Sequence, residues 1–400
     1  MAYQSVNPNT GKVLKSFEKL TDEQLEKSIA AAETCFQTWK HTTYAQRAEI
    51  VDKAATLMRK NVDEFAKLAT LEMGKRIDEA RGEVRFSADI LAYYAEHAKT
   101  FLAPTKLNPK VGEAHMENSP FGVLFCVEPW NFPYYQLARV AGPQLMAGNV
   151  LVVKHAGCVP QCAIAFEKLL LDAGAPKGAY TNLLISHEQS ERIIDDPRIK
   201  GVALTGSVEA GRSIAARAGQ NLKKTSMELG GSDAFIVLDD ADLEKTVPWA
   251  VWGRMYNGGQ TCCAAKRFIV LDSIADKFLE QFKAALSALK PGDPPGAFDR
   301  YGFRVPAGVV SPYSKRNFVS HTIYDHTSIL KTLEEKWNLP ALTRRDANAS
   351  SLFDMIDLHS KPAFKQPPRL PTAADPTLKA GCLSSGPGTI PPPSAVTKAG

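Results

Sequence analysis

Residues Phe121–Gly157 read FGVLFCVEPWNFPYYQLARVAGPQLMAGNVLVVKHAG. The apolar run FGVLFCVE gives way to a helical stretch at Tyr134–Gly148 and then to a second apolar run, VLVVK, at Val150–Lys154. The alternation continues downstream through CAIAFEKLLLDAG (162–174), TNLLI (181–185), GVALTG (201–206), EAGRSIAARAG (209–219) and DAFIVL (233–238). Strand and helix taking turns predict an α/β fold built on a doubly wound parallel sheet. Such sheets bind ligands beyond the carboxyl ends of their strands, so the chemistry is expected in the strand-to-helix loops.

Upstream the texture is helical. Thr21 opens a T-x-x-Q capping box with Gln24, and Leu25, Ile29, Ala32, Phe36 and Trp39 follow at helical spacing. Further helical stretches are AQRAEIVDKAATLMRK (45–60), VDEFAKLATLEMGK (62–75) and IDEARGEVRFSADILAYYAEHAKTFL (77–102). Beyond Pro294 the pattern changes, with KPGDPPGAFDRYGFRVP (290–306) as the seam. Residues 361–400 are rich in Pro, Gly, Ser and Thr and are read as a disordered tail.

Four hundred residues leave room for two or three domains. An apolar fraction of 44% and a charged fraction of 23% are those of a soluble globular protein. The net charge of +5 is spread along the chain, which does not call for a nucleic-acid partner. No secretory leader and no apolar run of ~18 residues is visible, so the expectation is a cytoplasmic protein without a membrane span. Seven irregularly spaced cysteines do not form a disulfide framework. His155, Cys158 and Cys162 lack a C-x-x-C pair and a fourth ligand, and no metal site is predicted.

The loops hold unusual residues. EPWNFP presents Trp130 and Asn131 between prolines, with Pro133 turning Phe132 away from helix. VVKHAG ends a strand on Lys154; LTGSVEAG ends another on Gly206 and Ser207, with Gly211 in the helix beyond. SMELGG carries Glu228 between Met227 and Leu229, where burying a carboxylate is costly unless it has a partner or a task. NGGQTCCAAKR (257–267) sets two adjacent thiols behind a glycine pair. Singly, most of these read as turn formers and solvated charges.

In combination, PWNFP, LTGSVEAG, MELGG and NGGQTC, together with LEMGK at Leu71–Lys75, resemble the NAD(P)-dependent aldehyde dehydrogenases over about residues 1–294. Through KHA and CCAAKRFIV the chain is most similar to the bacterial succinate-semialdehyde dehydrogenases. The resemblance implies Cys262 as nucleophile, with Cys263 a neighbour pointing elsewhere. Asn131 and the Cys262 amide then act as oxyanion donors, and Glu228 as the base that activates water. It implies a dinucleotide held by Trp130, Asn131, Lys154, His155, Ala156, Gly157, Gly206, Ser207 and Leu229. Gly157 stands where NAD-preferring relatives often carry glutamate, so NADP is expected to be accepted, with NAD also taken. The implied substrate is a small aldehyde, succinic semialdehyde first. Arg139, Arg254 and Lys266 are the available cations for its carboxylate.

After Pro294 the resemblance ends. The family's E-x-F-G-P motif and its oligomerisation strand are not found downstream, so the catalytic domain reads as truncated and the family's homo-oligomer is in question. A sheet cut midway would expose an unpaired edge and an apolar face. About residues 297–358 resemble the C-terminal part of the bacterial phosphoesterase family that includes phospholipases C. His321, Asp325 and His326 lie in that piece, but without the family's upstream acidic segments no metal site is expected. The domain plan is a dinucleotide-binding domain with N-terminal helices (1–228), a partial catalytic domain (229–294), a phosphoesterase-like fragment (295–360) and the tail (361–400). Three readings stay open: an aldehyde oxidoreductase, a chimeric remnant that at most binds the dinucleotide, and a metal-dependent phosphoesterase.

Overall fold

The computed structural model describes residues 3–289 and, beyond them, 331, 332, 335 and 350–355. The chain divides into two compact units, Met1–Phe303 and Arg304–Gly400. In the second, Leu352–Met355 forms one 3-10 turn, and the Leu352 amide donates to Thr332 Oγ1 at 2.8 Å.

The first unit opens with an antiparallel hairpin, β1 (Tyr3–Val6) and β2 (Val13–Phe17). Four helices follow: α1 (Asp22–Trp39), α2 (Tyr44–Lys60), α3 (Val62–Met73) and α4 (Ile77–Phe101). The Thr21–Gln24 capping box is formed, and a second one at Thr43–Gln46 starts α2. A small hairpin, β3 (Thr105–Leu107) and β4 (Ala114–Met116), leads into the alternating region. Neither hairpin is foreshadowed in the sequence reading, since strands of three to five residues with exposed faces leave little apolar alternation.

The alternating region runs β5 (Val123–Glu128), α5 (Tyr135–Met146), β6 (Val150–His155), α6 (Pro160–Ala173), β7 (Tyr180–Asn182), α7 (His187–Asp195), β8 (Ile199–Thr205), α8 (Val208–Gln220) and β9 (Lys224–Glu228). Its strands form one parallel sheet in the order β7-β6-β5-β8-β9. The chain winds outward from β5 through β6 to β7, then returns to β8 on the other side. The crevice between the carboxyl ends of β5 and β8 is therefore the topological switch point. Every residue of β6 is buried, as expected of a strand covered on both faces. Phe125, Val150, Leu151, Val152 and Val153 pack there against Leu25, Val51, Met58 and Phe166 from the surrounding helices. Each such burial stabilises by about 1.5–3 kcal/mol.

A carboxylate from the helical arm caps each of the first two sheet helices. Glu72 on α3 accepts from the amides of Gln161 and Cys162 at the start of α6, both at 2.9 Å. Glu83 on α4 accepts through Oε1 from the amides of Tyr134 (2.8 Å) and Tyr135 (3.1 Å) at the start of α5, whose own N-cap side chain makes no capping bond. An anion at a helix N-terminus satisfies orphan amides and complements the dipole.

After β9 come β10 (Asp233–Val237), α9 (Leu243–Met255), a 3-10 turn at Tyr256–Gly259, β11 (Ala265–Val270) and α10 (Asp272–Ser287). β10 and β11 pair in parallel as a separate two-stranded sheet. Its core is its own, with Val237, Leu243, Val247, Ala250 and Phe278 against Phe235, Phe268 and Phe282. No helix among the described residues is long and apolar enough to cross a membrane.

Candidate active site

The loop after β5 carries Trp130 and Asn131 and is fixed at both ends by one buried ring. His155 Nδ1 lies 3.0 Å from Glu128 O and Nε2 lies 3.0 Å from Pro133 O. Burial pushes the imidazole down to about 4, so it is neutral near pH 7 and has one N–H for two carbonyls. The side chain expected beside the dinucleotide is instead turned into the protein, because β6 is buried on both faces. Only the His155 backbone is left to meet a ligand.

The same loop is bonded to the segment that leads to the cysteines. Asn131 Nδ2 donates to Gln260 O at 2.8 Å, Asn257 Nδ2 donates to Asn131 O at 2.7 Å, and Gln260 Nε2 donates to Asn257 O at 2.9 Å. Asn257, Gly258 and Gly259 are successive left-handed residues, with φ of 55°, 63° and 79°. Two glycines behind an asparagine suit this turn, since other side chains clash with the backbone at such angles. Glu79 on α4 accepts from the Asn257 amide at 3.2 Å. The amide of Asn131 has a second N–H beyond the one given to Gln260.

Cys262 and Cys263 follow this turn, and both are exposed. Partial burial foremost, and then Cys262, hold the Cys263 thiol above its ordinary value. Lys266 Nζ donates to Thr261 O (3.2 Å) and Cys262 O (2.5 Å). A Cβ on Gly231 would stand 2.9 Å from Cys262 O, so the second glycine of MELGG lets β10 approach the cysteine loop.

Glu228 ends β9, and its carbonyl accepts from the Gly206 amide at 2.9 Å. Its side chain is 61% exposed, which corrects the sequence reading of a carboxylate in a buried apolar strand. β9 is an edge strand, so only one neighbour covers it. Arg139 Nη1 stands 3.6 Å from Glu228 Oε2 and Arg139 Nη2 donates to Thr205 Oγ1 at 2.7 Å. Glu128, Arg139, Thr205 and Glu228 line one cleft of about 510 Å³ over the β5-β8-β9 face. Burial pushes the Glu128 carboxyl up to about 8, the neighbouring Thr205 hydroxyl and then Arg139 offsetting it only in part. No hydrogen bond joins Glu228 to Cys262 among these residues.

Around the switch point, Lys154 is the penultimate residue of β6, at 8% exposure. Burial and then Lys19 lower its pKa, and its ammonium has no hydrogen bond or ion pair among the described residues. Ala156 and Gly157 form the turn into α6, where the Val159 amide donates to Ala156 O at 3.2 Å. Ser207 caps α8, its hydroxyl accepting from the Ala210 amide at 3.2 Å, which leaves the earlier first-turn amides of that helix without intrahelical partners. Gly211 admits Leu229, whose Cδ2 would lie 2.7 Å from a Cβ there. Trp130 packs half-buried against the main core. These groups fit an extended anion with hydroxyls, offering a buried cation, helix N-terminal amides and apolar walls.

Sequence reasoning did not assign Lys75, Glu79, Glu83 or Asn257, although they hold these loops. The sequence carries little signal for them, since Glu79 and Glu83, like charges four apart on one helix, cost only about 0.2–0.5 kcal/mol and read as a solvated face. Of the cations left open, Arg254 is tied to Ala265 O (3.0 Å) and Gly259 O (3.1 Å) and Lys266 to the cysteine loop, whereas Arg139 faces Glu228. His321, Asp325 and His326, and the tail from 361, lie outside the described residues.

The strand order, the switch-point loops and the adjoining thiol loop define a doubly wound α/β protein with a ligand crevice at the carboxyl ends of its strands. Residues 1–301 match the model of the aldehyde dehydrogenase family, and the chain belongs to that family. Residues 274–340 also match the model of the phosphoesterase family. The chain is 45% identical over 300 residues to the succinate-semialdehyde dehydrogenase [NADP(+)] of Deinococcus radiodurans, covering 75% of this chain and 63% of that relative. The Mycobacterium tuberculosis succinate-semialdehyde dehydrogenase [NADP(+)] 1 is 44% identical over 297 residues, covering 74% and 65%. Among solved structures, Gox0499 is similar at TM-score 0.73 and 54% identity, covering 75% of this chain and 65% of that one. Succinic semialdehyde dehydrogenase from Streptococcus pyogenes, in complex with NADP+, follows at TM-score 0.72 and 44% identity, covering 73% and 65%. The chain thus spans less than two thirds of the length of the curated relatives it matches.

Proposed function

We propose that the chain is built to oxidise a small aldehyde, succinic semialdehyde first, to its acid with NADP, NAD being the weaker alternative. The observation that carries this reading is the reciprocal pair of hydrogen bonds between Asn131 and the Asn257–Gln260 turn, which sets an amide donor from the switch-point loop beside the segment bearing Cys262. The names of the relatives supply the substrate and cofactor.

In this scheme the Cys262 thiolate adds to the aldehyde carbon, and the second Asn131 N–H with the Cys262 amide receives the charge developing on oxygen. Loss of one such donor costs about 3 kcal/mol in the barrier. A nicotinamide, when held there, would supply the acceptor for the hydride that the aldehyde carbon gives up. The resulting thioester on Cys262 is released by water, whose proton goes to Glu228. Exposure leaves Glu228 room to swing from Arg139 toward the thioester. Arg139, once Glu228 has swung away, is the cation best placed to meet a substrate carboxylate. Lys154, the α8 N-terminus, Trp130, Leu229 and the Ala156–Gly157 turn would hold the dinucleotide, and Gly157 brings no charge to repel a 2′-phosphate.

The test is NADPH and NADH formation by the purified full chain with succinic semialdehyde, with mass spectrometry for an acyl adduct on Cys262. Cys262→Ala is expected to abolish both signals, whereas Cys263→Ala leaves the adduct intact; the reverse pattern sinks the assignment. A folded chain that binds NADP but forms neither product nor adduct would point to a dinucleotide-binding remnant, a reading motivated by the fraction of its relatives' length that the chain spans.

A further inference from the structure

The LEMGK motif is absorbed by neither the thiol chemistry nor the dinucleotide, and the structure gives each of its polar ends a task. Glu72 caps α6, and Gly74 ends α3 in the left-handed region at φ 73°, turning the chain so that Lys75 enters the interior. There Lys75 Nζ pairs with Glu83 Oε2, and both side chains are 1% exposed. Lys75 Nζ also lies over the Phe132 ring, 3.8 Å from its centroid. The other oxygen of Glu83 holds the amides of Tyr134 and Tyr135, directly behind Asn131–Pro133. One turn earlier on α4, Glu79 holds the Asn257 amide.

Thus one face of α4 grips both strands of the chemistry. Glu83, steadied by Lys75, fixes the loop that carries Asn131; Glu79 fixes the turn that leads to Cys262. Those two segments meet through the Asn131–Gln260 and Asn257–Asn131 hydrogen bonds. A buried ion pair is a poor device for stability alone, because apolar replacement often does as well. It is a good device for orientation, since each oxygen and each N–H has a fixed destination.

We infer that Lys75 and Glu83 are positioning residues for acylation, acting through the Phe132–Tyr135 backbone to aim the Asn131 amide at the reacting oxygen. This rests on the reading of Asn131 as oxyanion donor. Neither residue reaches the substrate. What the site requires of Glu83 is an acceptor oxygen for two amides, and what it requires of Lys75 is that this oxygen stay in place.

The test compares two double variants of the full chain. Lys75→Met with Glu83→Gln removes both charges and keeps an acceptor oxygen; Lys75→Met with Glu83→Leu removes the acceptor as well. Single-turnover acylation of Cys262 by succinic semialdehyde with NADP is expected to fall about 100-fold in the leucine variant, the cost of misplacing a reacting group by an ångström or so. NADP affinity should be unchanged, and the glutamine variant should recover to within about tenfold of wild type. A folded leucine variant that acylates at the wild-type rate overturns the proposal, as does equal loss in both variants. Should the leucine variant not fold, Glu83→Asp keeps the charge but draws the oxygen back by one methylene, and wild-type acylation in that folded variant is equally fatal. Should wild type itself form no adduct, the proposed function fails while the positioning role is still decided by amide hydrogen exchange. Faster exchange at residues 134–135 that spreads to 257–262 in the leucine variant but not the glutamine variant upholds it. A change confined to 134–135 rejects it.

Discussion

Glu128 is the residue whose environment makes the sharpest prediction. Its carboxyl is pushed up to about 8 by burial, which the Thr205 hydroxyl and Arg139 offset only in part. Because the folded pKa lies above the unfolded value of about 4.3, the folded state holds a proton that the unfolded state has released between those limits. Stability from this group is therefore fully present below about pH 4 and is lost as pH rises toward 8. Glu128→Gln, which has the same shape and no charge, is expected to melt above wild type at pH 8 by the equivalent of a few kcal/mol, with the gap closing toward pH 5. Thermal melts across that range check it, and a constant offset would show that burial is not the cause. His155 works in the opposite sense, its depressed pKa removing stability as pH falls from about 6.5 through 4, so the variant comparison is the clean measurement. The thiol pair belongs to this scale too. The choice of Cys262 over Cys263 rests on the resemblance to the aldehyde dehydrogenases, and the paired Cys262→Ala and Cys263→Ala variants decide it.

At the scale of elements, the helical arm acts as a set of carboxylates reaching into a sheet they do not belong to. Glu72 supplies both capping bonds at the start of α6, where the N-cap residue Val159 has no side chain able to do so. Glu72→Ala is expected to cost about 2–3 kcal/mol, since it strips two amides of a charged acceptor in a buried setting. Denaturant unfolding reads this as a lower midpoint at unchanged slope. A loss under half a kcal/mol would mean that water replaces the carboxylate. The LEMGK stretch was recognisable in the sequence as a pattern, but its purpose was not. An acidic residue late in a helix reads as a solvated charge until the fold brings another helix's N-terminus against it.

On the scale of the molecule, the two-stranded β10–β11 sheet presents Ile236 at 61% exposure beside its exposed cross-strand partner Ile269, and α9 presents Trp249 at 64%. An apolar sheet face whose edges are unpaired among the described residues invites association. Sedimentation velocity is expected to show concentration-dependent self-association that Ile236→Lys reduces without lowering the melting temperature; a monomer at all concentrations would contradict this. The sequence by itself determined the parallel α/β sheet and the chemistry expected at its carboxyl ends, while the candidate roles of Asn131, Lys154, Gly206, Glu228 and Cys262 came from the resemblance to the aldehyde dehydrogenases. The sheet is local, written in strand and helix periods, and the resemblance is carried by short motifs in the loops between them. Tertiary structure alone decided that Glu228 is exposed and faces Arg139, that His155 staples a loop instead of lining a cleft, and that Glu83 caps a helix 51 residues away. The bond from Asn131 to Gln260 joins positions 129 apart. Polar side chains carry no mark of their partners in the sequence, because a hydrogen bond is settled by which groups the folded chain brings within about 3 Å.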